Sequence, residues 1–256
     1  RFERAGSTRD FISLLTVKLL YFGKTKIFIK SHGSEAHRMQ HEPFFIRSLV
    51  MPFLTRVVDG WFFLSSDEKK LVSGYNAALA SKIYIVPNII DPQRCVASTE
   101  FNRKYGLPEE KFKILFVGRM VREKGIFDIL NAIPAIAARE NCIFIFVGSG
   151  NDEEKLHQEA SMKGLKSYCR FMGYLPDAEC DHFYANTNLL IFPTYDTEGF
   201  AMALFKSVSA GLPVLTTKIR AAKDYLQEPD NLLWIKEKDP ACIAGAVNRM
   251  IAEKEL

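Results

Sequence analysis

From Lys111 onward, short apolar runs alternate with segments whose apolar residues recur at helical spacing. Phe112–Val117, Cys142–Val147, Leu189–Phe192 and Pro213–Thr216 predict strands, with weaker ones at Ser167–Phe171 and Asn231–Ile235. Runs this apolar suit strands covered on both faces, as inside a parallel sheet. Between them, Lys124–Ala138, Asn151–Met162, Asp177–Ala185, Gly199–Ala210 and Asp239–Ala252 predict helices. Such strand–helix repetition implies right-handed βαβ crossovers and a doubly wound, Rossmann-like α/β domain.

Before Lys111 the pattern is sparser. Strands are predicted at Lys26–Lys30, Trp61–Leu64 and Lys82–Val86, and helices around Asp10–Tyr21, Pro43–Thr55 and Asp67–Ala78. The stretch from Pro87 to Glu110 contains Pro87, Pro92 and Pro108 and little periodicity, which suits an interdomain connection. The expected organisation is a partial N-terminal α/β domain over residues 1–87, a linker over 88–110 and a nucleotide-binding domain over 111–256.

Composition narrows the function classes. Of 256 residues, 48% are apolar and 25% charged, ordinary for a globular protein. A net charge of +4 is too slight to argue for nucleic acid, but suits anionic small molecules. The five cysteines are widely spaced, with no C-x-x-C pair, which points to reduced thiols and a cytoplasmic setting. No apolar run approaches the ~18 residues of a membrane span, and none of the segments reads as a signal peptide, so none is expected. His37 and His41 lie four residues apart, yet no third ligand is nearby, so a solvated helix face explains them better than a metal.

Ligands of open α/β sheets bind beyond the carboxyl ends of the strands. Three such ends carry candidate chemistry. The first reads Gly118-Arg119-Met120-Val121-Arg122-Glu123-Lys124-Gly125, where two cations and a helix start could meet a phosphate. The second reads Val147-Gly148-Ser149-Gly150-Asn151, half of a dinucleotide fingerprint without its third glycine. The third reads Phe192-Pro193-Thr194-Tyr195-Asp196-Thr197-Glu198-Gly199-Phe200, then a helix, then Ala210-Gly211-Leu212-Pro213-Val214. On local grounds Glu198 serves equally as a sugar-binding carboxylate or as an ordinary acid at a helix start.

Taken in order and at these separations, the three segments resemble the GT-B glycosyltransferases of retaining family 4, the group 1 glycosyl transferases. The resemblance covers about Lys111–Ala252 closely, and extends loosely through Ser65-Ser66 and Val86–Asp91. It implies that Arg119 and Lys124 hold the donor's diphosphate, with Gly118, Gly148 and Gly150 in the adjoining turns. Glu198 matches the first acid of an E-x(7)-E motif and would lie against the donor sugar. Gly199, Phe200, Ala201 and Met202 match the turn whose amides approach sugar and phosphate. Gly173 and Tyr174 match the loop that meets the nucleobase, and His32 matches a strand-end histidine facing the transferred sugar.

Two departures stand out. The second acid of the motif should fall at 206, and the residue is Lys206. In the family that carboxylate accepts hydrogen bonds from the ribose, whereas an ammonium has only donors. The loss of one charged hydrogen bond is worth about 1.5–3 kcal/mol, so Lys206→Glu is expected to tighten donor binding. Residues 1–30, beginning at Arg1, contain only Gly6 and Gly23 and no glycine-rich acceptor loop, so a fragment or a shortened first domain is expected.

The resemblance therefore implies transfer of a sugar from a nucleoside diphosphate sugar to a hydroxyl, with retained configuration and without a metal or other cofactor. The acceptor would be a saccharide or a lipid-linked molecule. Pro43–Leu64 mixes aromatics with Arg47 and Arg56 and suits peripheral contact with the inner membrane face, although burial as core explains it slightly better. Lys206 and the short first domain keep open a catalytically impaired nucleotide-sugar binder. A dinucleotide-dependent oxidoreductase is disfavoured by the missing third glycine.

Overall fold

The computed structural model describes residues 13, 15–18, 20, 25–31, 52–53, 56–75, 77–91, 97–196, 199–229 and 232–254. His32 and Glu198 lie outside the described residues, as does most of the two helices expected before Thr55. Contacts divide the chain into two units, Arg1–Asn88 with Thr197–Phe200, and Ile89–Asp196 with Ala201–Leu256.

The first unit holds a parallel sheet ordered β1-β2-β3, formed by β1 (Phe28–Lys30), β2 (Gly60–Phe63) and β3 (Ile83–Ile85). Helix α1 (Ser66–Tyr75) links the last two strands. Trp61 and Phe63 point to the side where Ile27, Val58, Val72, Leu79 and Ile83 form the core, as the two-residue period of a strand requires. The start of α1 is a capping box. The amide of Glu68 donates to Ser65 Oγ at 3.4 Å, and the Glu68 carboxylate accepts from the Leu64 amide and the Ser65 hydroxyl, both at 3.2 Å. Two donors that the helix cannot satisfy internally are thereby satisfied.

The second unit is built on a six-stranded, wholly parallel sheet. Its strands are β4 (Phe112–Val117), β5 (Cys142–Val147), β6 (Cys169–Gly173), β7 (Leu189–Phe192), β8 (Val214–Thr217) and β9 (Leu232–Ile235). Their spatial order is β6-β5-β4-β7-β8-β9. The chain winds outward from β4 to β6, then returns and winds the other way from β7, which is the doubly wound arrangement. Every residue of β5, β7 and β8 is buried, because helices cover both faces and leave no side for polar residues.

Those helices are α2 (Phe101–Tyr105), α3 (Ile126–Ala132), α4 (Glu153–Met162), α5 (Asp177–Asn186), α6 (Met202–Ser209), α7 (Arg220–Tyr225) and α8 (Pro240–Lys254). Helix α3 is shorter than the expected Lys124–Ala138. Gly125 adopts a left-handed φ of 73° ahead of it, and Pro134 sits in a 3₁₀ turn, Ile133–Ala135, behind it. Neither conformation extends an α-helix.

The stretch expected to be a linker, residues 88–110, differs in part. It contains α2, whose Phe101 is buried and meets Phe183 of α5 edge-on at 5.0 Å between ring centroids. Tyr105 lies 4.6 Å from the same ring, and the Ser98 amide donates to Asn186 Oδ1 at 2.8 Å. Its later half is therefore part of the second unit, held by aromatic burial that proline content alone does not reveal.

Candidate functional site

The order of strands in the second unit reverses between β4 and β7, the position beyond whose carboxyl ends ligands of open α/β sheets bind. The β4 loop carries Arg119 and Lys124, and the β7 loop carries Thr194, Tyr195 and Asp196. The two loops are tied by their backbones. The amides of Tyr195 and Asp196 donate to the Glu123 carbonyl at 2.9 and 3.1 Å, and Thr194 Oγ1 donates to it at 3.2 Å. Gly125 lies against the β7 loop so closely that an added Cβ would stand 2.5 Å from the Pro193 carbonyl oxygen.

Within this frame Arg119 and Lys124 meet on one atom. Arg119 Nη2 lies 3.0 Å and Lys124 Nζ 3.3 Å from Oδ2 of Asp196. Lys124 is almost wholly buried, its side chain 6% exposed, while that of Arg119 is 69% exposed. Burial pushes the Lys124 ammonium below the ordinary lysine value, and the Asp196 carboxylate opposes that shift by favouring the charged form. A desolvated cation so held at the end of a strand is a candidate anion-binding group.

The glycines expected beside the phosphate have a packing role. Gly148 has a φ of 128°, and a Cβ there would overlap the Gly118 carbonyl oxygen. At Gly150 a Cβ would stand 2.5 Å from the Met120 carbonyl oxygen. The loops after β4 and β5 therefore touch backbone to backbone, with the Gly118 amide donating to Val147 O at 3.0 Å and the Met120 amide to Ser149 O at 2.9 Å. Gly173 closes the row, its carbonyl accepting from the Gly148 amide at 2.8 Å. Tyr174, next in the chain, is 74% exposed.

Helix α6 starts with no acidic residue in its first turn, and Ala201 before it offers no capping side chain. Helix α4 differs in having Glu153 and Glu154 in its opening turn. Ala201 is buried and Met202 is partly exposed at that start. Gly199 and Phe200 are grouped with the first unit.

Lys206 turns elsewhere within the same unit. Its Nζ lies 2.9 Å from Oδ1 of Asp181 on α5, which is 2% exposed, and 3.8 Å from Oδ2 of Asp177. Asp181 Oδ2 has no hydrogen-bond partner among the described residues. The substitution Lys206→Glu would therefore set a second carboxylate against a buried acid, a consequence that the motif comparison did not contain.

The sequence alone does not mark Asp196 or Asp181 as partners of these cations. The one signal for Asp196 is its place two residues before Glu198 in a strand-end loop. Asp181 carries none, being one acid among several on an ordinary helix. Among the described residues no group of three or more His, Cys, Asp or Glu side chains could hold a metal, and no helix is long and apolar enough to cross a membrane.

The second unit is thus a doubly wound α/β domain that brings two cations together where its strand order reverses. Residues 97–256 match the family described as glycosyl transferases group 1, and the chain belongs to that family. It is 26% identical over 153 residues to an uncharacterized glycosyltransferase of Methanocaldococcus jannaschii, covering 60% of this chain and 39% of the relative. It is 25% identical over 187 residues to the putative teichuronic acid biosynthesis glycosyltransferase TuaC of Bacillus subtilis, covering 72% of this chain and 43% of the relative. The chain thus spans less than half the length of these two curated relatives. Its fold is similar to that of Anabaena HepE in complex with UDP, with a TM-score of 0.82 at 15% identity, over 94% of this chain and 67% of that one. WaaG, a glycosyltransferase involved in lipopolysaccharide biosynthesis, gives a TM-score of 0.73 at 18% identity, over 97% and 74%.

Proposed function

We propose that this chain carries the donor-binding half of an enzyme that moves a sugar from a nucleoside diphosphate sugar to a hydroxyl. The supporting observation is the convergence of Arg119 Nη2 and Lys124 Nζ on one carboxylate oxygen beyond the ends of β4 and β7. Two fixed cations there would hold the diphosphate and stabilise the charge that grows on it as the bond to the sugar breaks, a task that needs no metal. HepE, a fold neighbour, is described in complex with UDP and with UDP-glucose, which favours the same ligand class here.

On this reading the acceptor oxygen bonds to the anomeric carbon, the bond from that carbon to the diphosphate breaks, and the hydroxyl proton leaves with the diphosphate or to solvent. Glu198 would orient the sugar and His32 would help position it. The amides at 199–202 would approach sugar and phosphate, and Gly173 with Tyr174 the base. Retention of configuration, a saccharide or lipid-linked acceptor, and work at the inner face of the cell membrane belong to the same proposal. Titration calorimetry with UDP, GDP and ADP tests it: at least one should bind, and Arg119→Ala with Lys124→Ala should abolish the heat. Binding that survives loss of both cations would refute it.

A second reading has its own support, the Lys206–Asp181 pair. With the ammonium engaged at 2.9 Å by a buried acid, position 206 offers no acceptor for ribose hydroxyls, and the chain would be a nucleotide-sugar binder of low or no turnover. Donor binding measured beside sugar transfer separates the two.

A further inference from the structure

A single oxygen holding two cations is the arrangement a phosphoryl oxygen would have, and here it belongs to the protein. Arg119 and Lys124 both reach Oδ2 of Asp196, at 3.0 and 3.3 Å. The backbone beneath that carboxylate is tethered to the very turn that carries Lys124. The Asp196 amide donates to the Glu123 carbonyl at 3.1 Å and to Thr194 Oγ1 at 3.1 Å. The Asp196 side chain is partly open to solvent, 25% exposed, while Lys124 is enclosed. Rotation about the Cα–Cβ bond of Asp196 is therefore the small movement that would vacate the oxygen's place and leave Lys124 where it is.

We propose that Asp196 is the resident counterion of the diphosphate subsite, exchanged for a phosphoryl oxygen when the donor arrives. This rests on the reading that Arg119 and Lys124 hold the diphosphate. The carboxylate does two things. In the empty site it neutralises one of two close cations, one of them desolvated, which would otherwise repel each other. On binding it must be displaced by an anion that offers the cations more than it does, so it weakens every anion and excludes those carrying a single charge. Asp196 is then a determinant of ligand class, selecting diphosphates over weaker anions.

The test uses the full chain, with inorganic pyrophosphate as the probe so that nucleobase contacts play no part. Asp196→Asn keeps the shape and the loop hydrogen bonds and removes the charge. It should bind pyrophosphate about tenfold more tightly than the wild type, and chloride should compete in the variant at concentrations that leave the wild type unaffected. Asp196→Ala provides the same comparison should the asparagine variant fold poorly. Unchanged or weaker binding in a folded variant overturns the counterion role, the weaker case marking Asp196 as a residue that positions the cations. The loss of binding with pH gives a further readout. The charged groups that act on Lys124 are Asp196, Arg119 and Glu123. Removing Asp196 should move the loss of binding to lower pH, which a purely structural role would not do. The supporting reading fails separately: if Arg119→Ala with Lys124→Ala leaves pyrophosphate binding intact in the wild-type background, the site itself is misassigned.

Discussion

At the scale of single residues, Lys124 makes the sharpest prediction. Its side chain is 6% exposed, and burial depresses its pKa from the ordinary 10.5, with Asp196 as the main opposing influence. For a lysine whose folded pKa is lowered, the proton is held less tightly in the fold than in the unfolded chain. Its charge therefore weighs against stability below the folded pKa, and that penalty fades as pH rises through it. A bound phosphate favours the charged form and draws the proton back. In the alkaline range, pyrophosphate binding should accordingly take up more protons in the wild type than in Lys124→Met, whose ligand ionises identically. Calorimetry in two buffers of different ionisation enthalpy would show it as a difference in proton uptake between the two proteins. Equal uptake by both across the alkaline range would mean that Lys124 does not touch the ligand.

At the scale of elements, helices α5 and α6 are joined by a pair whose two members are unequally exposed. Lys206 gives its ammonium to Asp181, and that acid is 2% exposed with one oxygen unpartnered among the described residues. Breaking a buried pair from one side leaves an uncompensated charge, at a cost of about 3 kcal/mol. Lys206→Ala should lose about that much stability in urea unfolding, and adding Asp181→Ala should restore most of it. An equally unstable double variant would assign the loss to packing. It follows that the effect of Lys206→Glu on donor affinity is cleanly measured only with Asp181 replaced. The turns make a similar argument. Gly148→Ala would force a Cβ into the Gly118 carbonyl from a φ of 128°, and should destabilise well beyond the ~1 kcal/mol of an average substitution, with Gly164→Ala, which meets nothing within 4 Å, as the comparison for backbone strain alone.

The same elements show what a sequence can carry. Strands β4, β5 and β7 begin and end where their apolar runs do, because a strand covered on both faces admits little else. The cations Arg119 and Lys124 are legible for a related reason: strand-end position is a property of the chain in one dimension. Their shared partner is not, since Asp196 meets Arg119 across 77 residues and that meeting depends on which strand lies beside β4. Helices α2 and α7 escape the periodic pattern because five and six residues complete too few turns to display a stripe. Lys206 shows the converse limit: its place in the motif is legible along the chain, whereas its pairing with Asp181 of α5 depends on tertiary packing that no spacing displays.

At the scale of the whole molecule, the second unit contains its own six-stranded core and both cations. A ligand held by them should therefore stabilise that unit as a unit. Its buried thiols provide the reporter. Burial pushes Cys142 and Cys180 up to about 11 and Cys169 to about 12, so none supplies appreciable thiolate at pH 8 while folded. Cys242, less enclosed, and Cys95, outside the described residues, can be replaced by serine beforehand. Later modification of the three buried thiols then reports opening of the sheet, because β5, β6 and α5 must part for a reagent to enter. A ligand present at 100 times its dissociation constant adds about 2.7 kcal/mol to the state it binds. If opening expels the ligand, pyrophosphate or UDP at that level should slow labelling of these cysteines about 100-fold, and the slowing should vanish in Arg119→Ala with Lys124→Ala. Slowing that persists without the cations would locate the anion elsewhere in the unit, whereas labelling that never slows despite measured binding would mean that the sheet opens without disturbing the bonded β4 and β7 loops.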